Sequence, residues 1–150
     1  MRALIQRVSF ASLRVNDKLI SSISQGLVVY IGIAKDEDEN DIDYLVNKII
    51  QLRIFNDKEG RMNLSVQDIN GELLVVSQFT LHAKTKKGNR PSYIRAADPE
   101  KATLYYQIFL KDLAKKSNLN VRSGVFGAHM LIDQNNDGPV SIWIDTKAKE

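Results

Sequence analysis

Ser77-Gln78-Phe79-Thr80 follows directly on the apolar run Leu73-Leu74-Val75-Val76 and brings three hydrogen-bonding side chains into four positions. A buried polar group costs free energy unless it is paired. These side chains therefore either satisfy backbone at a strand end or face a pocket. Ser77 and Thr80 carry hydroxyls that are candidate nucleophiles. A hydroxyl needs a base to become one, and none adjoins either residue in sequence. His82 lies two residues beyond Thr80, and His129 is the only other histidine. His82 reads either as a base or as a polar surface or capping residue. Two histidines without suitably spaced carboxylates do not make a metal site, so neither a metal nor a cofactor is expected.

Five cations come next, Lys84, Lys86, Lys87, Arg90 and Arg95, within twelve residues. They form either a solvated loop or a loop that contacts phosphate beside Ser77–Thr80. Phe126, ahead of Gly127 and Ala128, is either core packing or a platform on which a base stacks. Asp133 to Val140, DQNNDGPV, opens like a calcium-binding EF-hand loop. Such a loop needs a bidentate Glu at its twelfth position, where this chain has Ile144, and Ser-Ile-Trp-Ile follows in place of an exiting helix. An Asp-Gly hairpin turn is the better reading. Pro139 is unusual there, because it cannot donate to a strand ladder. A Gly-Pro bond is also among the few that take the cis form at modest cost.

These segments need elements to position them. Strands are expected over roughly 2–8, 12–15, 18–23 and 27–33, over 72–79, and near 129–133 and 140–145. Ile42, Leu45, Val46, Ile49 and Ile50 recur at helical spacing and predict a helix over about 39–53. Six of the eight residues from Asp36 to Asp43 are acidic, which suits a helix start. A second helix should begin near Asp98, with Pro99 in its first turn and Leu104, Tyr105, Ile108, Phe109 and Leu113 as its apolar stripe. Residues 56–60 read as a turn and 84–95 as a polar loop.

The expected fold class is mixed α+β (α/β). It would have layered mixed β-sheets, or an open barrel-like sheet, with two amphipathic helices packed on one face. The 150 residues suggest one domain over 1–150. No Gly-rich strand–turn–helix signature is present, which argues against a Rossmann or P-loop nucleotide site. With no cysteine, disulfides, thiolate metal sites and a Cys nucleophile are excluded. The longest apolar run, Gly26 to Ala34, is nine residues, too short to span a bilayer. The start MRALIQRVSF lacks a signal-peptide core. A soluble, cytoplasmic protein without a membrane partner is expected. The net charge of +3 permits an anionic partner such as RNA without requiring one.

Taken together, Ser77-Gln-Phe-Thr-Leu81 and Asn136-Asp-Gly-Pro-Val-Ser141 closely resemble the D-aminoacyl-tRNA deacylase family. The likeness runs along essentially the whole chain, through Met1–Val8, Leu52–Phe55, Met62–Ser65, Gly88–Ser92 and Phe126–Ala128. One departure is Ser141, where the family usually has Thr; both carry a hydroxyl. The resemblance implies hydrolysis of the ester between a D-amino acid and the 3′ end of tRNA, with glycyl-tRNA as a further substrate. It implies a homodimer with active sites at the interface. Ser77, Gln78, Phe79 and Thr80 of one subunit would line the pocket, and Gly138-Pro139 would enter from the other as a cis pair. Arg7 would orient that pair; on residue type alone it is a surface ion-pair former. Phe126 would contact the adenine of the aminoacyl-tRNA 3′ end, with Gly127, Ala128 and Met130 beside it. Two other readings stay open on residue patterns alone: a non-catalytic RNA-binding module using the basic loop, and a hydrolase of another small ester.

Overall fold

The structure, a computed structural model, describes residues 1–149. Its elements in chain order are β1 (Arg2–Val15), β2 (Lys18–Ile23), β3 (Gly26–Gly32), α1 (Glu39–Gln51), β4 (Phe55–Asn56), β5 (Met62–Leu64) and β6 (Glu72–Ser77). A 3-10 turn (Phe79–His82), α2 (Pro99–Ser117), β7 (Val121–Ser123) and β8 (Leu131–Asp145) complete the chain. The expected mixed α+β class is correct. The main sheet runs β2-β1-β3-β6-β7, and β8 pairs with β1. β3–β6 and β6–β7 are parallel, and the pairs made by β1 are antiparallel.

β1 organises this sheet. Its first half pairs with β3 and its second with β2, while β8 runs along both. The two short strands expected at 2–8 and 12–15 are thus one. Between Val8 and Phe10, β1 takes two steps where β8 takes one, from Asn136 to Asn135. The extra residue, Ser9, reverses which side chains face which side. Ala3 and Ile5 pack under the helices, whereas Ala11 and Leu13 join Val8, Ile23, Val28, Leu74 and Val76 in a second core on the opposite face. The sheet curls around that second core. The Ser21 hydroxyl of β2 donates to the Ser123 carbonyl of β7 at 2.7 Å, so its two ends nearly meet.

Both helices lie on the face that carries Ala3, Ile5, Leu27, Val29, Leu73 and Val75. Asp38 caps α1, and its side chain forms a capping box with Asp41. The expected α1 stripe is buried throughout. Asp98 caps α2 by accepting from the Lys101 amide at 3.0 Å, with Pro99 in the first turn as predicted. The α2 stripe is shifted from expectation. Tyr106 is 1% exposed and Leu104 is 57% exposed. Tyr106 tolerates this burial because its hydroxyl donates to the Val75 carbonyl at 2.8 Å.

The acidic run before α1 does more than meet the helix dipole. Glu37 is buried, accepts from the Ala34 amide at 2.9 Å and pairs with the Met1 ammonium. Asp41 is buried and pairs with Lys147 at 2.8 Å. Burial raises the Asp41 pKa, but hydrogen bonds from Lys147, Thr146 and the Asp38 amide outweigh it and hold the carboxyl at about 2. Among the described residues no cluster of three His, Cys, Asp or Glu side chains could hold a metal ion. Likewise, no helix is long and apolar enough to cross a membrane.

Candidate active site

The buried strands β3 and β6 lie side by side, and the chain leaves β6 at Ser77. Strand geometry was expected to continue to Phe79. Instead Gln78 turns (φ −144°, ψ 78°) and Phe79–His82 forms a 3-10 turn. The Gln78 amide donates to the Ile31 carbonyl at 2.7 Å, which ties the turn to the end of β3. Gly32 lets it come close. A Cβ at that position would lie 2.9 Å from His82 Cδ2 and 3.0 Å from the Gln78 carbonyl oxygen. A glycine that ends a strand under a functional turn is legible only once that turn is known to pack there.

A cavity of about 280 Å³ opens beside this turn. Ser77, Gln78 and Phe79 line it, together with Phe126, Gly127, Ala128 and Met130. Ile31 of β3, Ile33 just beyond it and Val76 of β6 also line it, as do Ala97, just before α2, and Ala102 in its first turn. Seven of the predicted site residues thus share one cavity. Phe126 is also held by a tilted ring contact with Tyr106, with centroids 5.8 Å apart. Among the described residues no Asp, Glu, Lys or Arg lines the cavity, and the one ionisable side chain there is the exposed His129. Thr80 does not line it directly. Its hydroxyl accepts from the Gln78 side-chain amide. The amides of Phe79 and Thr80 are the first of the turn, so neither has an acceptor within it.

His82 is neither a base in this cavity nor a surface residue. It is 3% exposed, packs against Gly32 and faces Glu37 with Nε2 at 4.0 Å from Oε1. Burial holds its pKa below the usual histidine range, against the opposing effects of the Gly32 backbone hydrogen bond and Glu37. Its role is to pack the turn onto β3.

Arg7, Gly138 and Pro139 lie outside this cavity. The hairpin expected at Asp137-Gly138 is absent: the chain does not reverse, and both flanking segments belong to the single strand β8. Gln6 pairs with Ser141 and Val8 with Asn136, so Asp137 to Val140 stand opposite Arg7 alone and bulge outward. Gly138 adopts φ +132°, a conformation that side chains disfavour, and the Gly138-Pro139 bond is cis. Both residues are exposed. Arg7 supports the bulge from below; it is 6% exposed rather than a surface residue, and it pairs with the Asp137 carboxylate at 3.3 Å. Its Nε donates to the Asp137 carbonyl at 2.9 Å and its Nη1 to the Ile54 carbonyl at 2.6 Å.

A profile of the D-Tyr-tRNA(Tyr) deacylase family matches residues 4–145. A D-aminoacyl-tRNA deacylase of Porphyromonas gingivalis is 55% identical over 150 residues, with 100% of both chains covered. Another, from Thermosipho melanesiensis, is 49% identical over 147 residues, 98% of each chain. Among solved structures, a c-Myc DNA unwinding element binding protein superposes with a TM-score of 0.92 at 39% identity, covering 97% of this chain and 98% of its own. A probable eukaryotic D-amino acid tRNA deacylase superposes with a TM-score of 0.82 at 18% identity, covering 95% and 97%, a likeness of fold.

Proposed function

The chain belongs to the D-Tyr-tRNA(Tyr) deacylase family, and we propose that it hydrolyses the ester bond of D-aminoacyl-tRNA, releasing free D-amino acid and tRNA. The observation that carries this reading is the pairing of a mostly apolar cavity with the open amides at the head of the turn that walls it. An aminoacyl ester is already labile. Holding its carbonyl where the Phe79 and Thr80 amides meet the developing oxyanion lowers the barrier without a strong protein nucleophile. Water, aided by the vicinal 2′-hydroxyl of the substrate, makes the attack, and Phe126 contacts the terminal adenine. The scarcity of acids and bases in the lining favours this course over a covalent Thr80 intermediate.

Chirality is read by exclusion. In this proposal two chains associate and the exposed Gly138-Pro139 bulge of one enters the cavity of the other. Its carbonyls take the space that an L side chain would need, while a D side chain points elsewhere. Glycine has no side chain to exclude, so glycyl-tRNA is also a substrate. Association is supported by β8, which among the described residues pairs with β1 alone and leaves its other edge open, with Leu131 and Trp143 half exposed. An open edge of that length is normally covered. The substrate would place the protein in the cytoplasm. The test is to follow the ester of D-Tyr-tRNA and L-Tyr-tRNA in the presence of the protein. Release from the D form alone is expected. RNA binding without turnover, or release from both forms, would overturn the reading.

A further inference from the structure

The net positive charge of this protein arises on one loop, although sixteen of its 21 Lys and Arg lie outside it. Residues 83–97 hold five cations and no Asp or Glu. The whole chain carries +3, so everything outside this segment sums to −2. Elsewhere Arg2, Arg7, Lys116 and Lys147 meet carboxylates, and Lys101 donates to two carbonyls. Lys84, Lys86, Lys87 and Arg90 are all exposed, and none forms an ion pair among the described residues.

The loop is shaped and anchored. Lys84 and Ser92 exchange two main-chain hydrogen bonds, at 2.8 and 3.0 Å, which close its tip. At its base the Lys35 amide donates to the Arg95 carbonyl at 3.1 Å and the Ala97 amide to the Ile33 carbonyl at 2.9 Å. The loop follows the 3-10 turn, whose first residue Phe79 lines the cavity, and returns at Ala97, which lines it too. An aromatic pair joins the cavity wall to the loop. Phe79 and Tyr93 meet edge to face with centroids 5.0 Å apart, yet remain 56% and 37% exposed.

Cations that track a backbone, beside aromatic faces open to solvent, are what a single-stranded nucleic acid requires. We infer that this loop is the landing site for the unpaired nucleotides immediately before the terminal adenosine of the substrate RNA. Lys84, Lys86, Lys87 and Arg90 take its phosphates, and a base stacks on Tyr93. The inference rests on reading the cavity as the aminoacyl-adenosine site and adds the surface that delivers the RNA to it. An acidic protein partner would match the charge but leaves the exposed ring beside the cavity without a use.

The test compares wild type with the triple variant Lys86→Ala/Lys87→Ala/Arg90→Ala and with Tyr93→Ala. Turnover is measured on D-Tyr-tRNA and on D-Tyr-adenosine, which lacks the upstream phosphates, across a range of salt. In the triple variant kcat/KM on the tRNA should fall by about tenfold or more, and its log–log salt dependence should become shallower by about 2, from about 0.7 per lost single-strand phosphate contact. Tyr93→Ala should weaken the tRNA reaction by about tenfold with little change in salt slope, as expected for a lost stacking contact. The triple variant, whose residues lie outside the cavity lining, should match wild type on D-Tyr-adenosine. An unchanged salt slope in the triple variant, or equal losses on the two substrates, would refute the inference. Binding of an uncharged single-stranded RNA with the tRNA 3′ terminus is measured in parallel. Should wild type release no amino acid, the proposed activity fails by itself. The loop assignment is then still decided by whether the triple variant loses that binding or keeps it.

Discussion

Arg7→Ala tests how the bulge in β8 is held. The guanidinium is nearly inaccessible, and two of its donors go to main-chain carbonyls, Asp137 at 2.9 Å and Ile54 at 2.6 Å. Hydrogen bonds from a charged group contribute about 1.5–3 kcal/mol each. The Asp137 carboxylate, 3.3 Å away, is 45% exposed and adds little through solvent. Truncation also strands the carbonyl of Ile54, a residue only 7% exposed. A loss of about 3–5 kcal/mol follows, less than the stability of many domains of this size. Arg7→Lys keeps the charge but not the planar fork, so it should recover about half. Urea unfolding measures these changes. The functional readout is the ratio of kcat/KM for D-Tyr-tRNA over L-Tyr-tRNA. A misplacement of about 1 Å in a positioning group costs on the order of a hundredfold, and the ratio should drop by at least about tenfold in Arg7→Ala. If stability falls as computed and the ratio stays at the wild-type value, the bulge does not select chirality.

Three further perturbations probe the turn. Under the proposed mechanism the amides and not the hydroxyl meet the oxyanion, so Thr80→Ala should keep turnover within about tenfold; a loss beyond about a thousandfold in single-turnover assays would restore the covalent mechanism. Gly32→Ala should destabilise by about 1–3 kcal/mol through overpacking and slow turnover, since its Cβ would press on the Gln78 carbonyl and His82; wild-type turnover would show that the turn has slack. Because burial depresses the His82 pKa, the unfolded chain takes up that proton before the folded one. The stability that the neutral ring confers is complete above about pH 6.5 and is lost as pH falls from there toward the lower folded value. Urea midpoints between about pH 7.5 and 5.5 should therefore decline in wild type and less so in His82→Gln. Parallel profiles would mean that His82 is not the group responsible.

Where a residue's role depends on near neighbours, the sequence revealed it. The α1 stripe, the Asp98 cap with Pro99 behind it, and the fully buried Leu73–Val76 run all obey local periodicity or capping rules. The polar break after Val76 left two roles open, and Ser77 and Gln78 do line the cavity while Thr80 instead pairs with the Gln78 amide. Tyr106 was missed in favour of Leu104, since its burial depends on an acceptor 31 residues away. The bulge was misread for the same reason on a larger scale. Asp-Gly followed by Pro is equally suited to a hairpin and to an outward loop in a continuing strand. What separates the two is whether the flanking segments pair with each other or with a third strand. Here both pair with β1, and the residue they leave unmatched, Arg7, lies 130 positions before the carbonyl it holds. Nothing local to residues 133–140 could report that. The consequence is mechanical: the shape of the Gly138-Pro139 bulge is set from within β1, so a substitution at Arg7 should act on a segment at the other end of the chain.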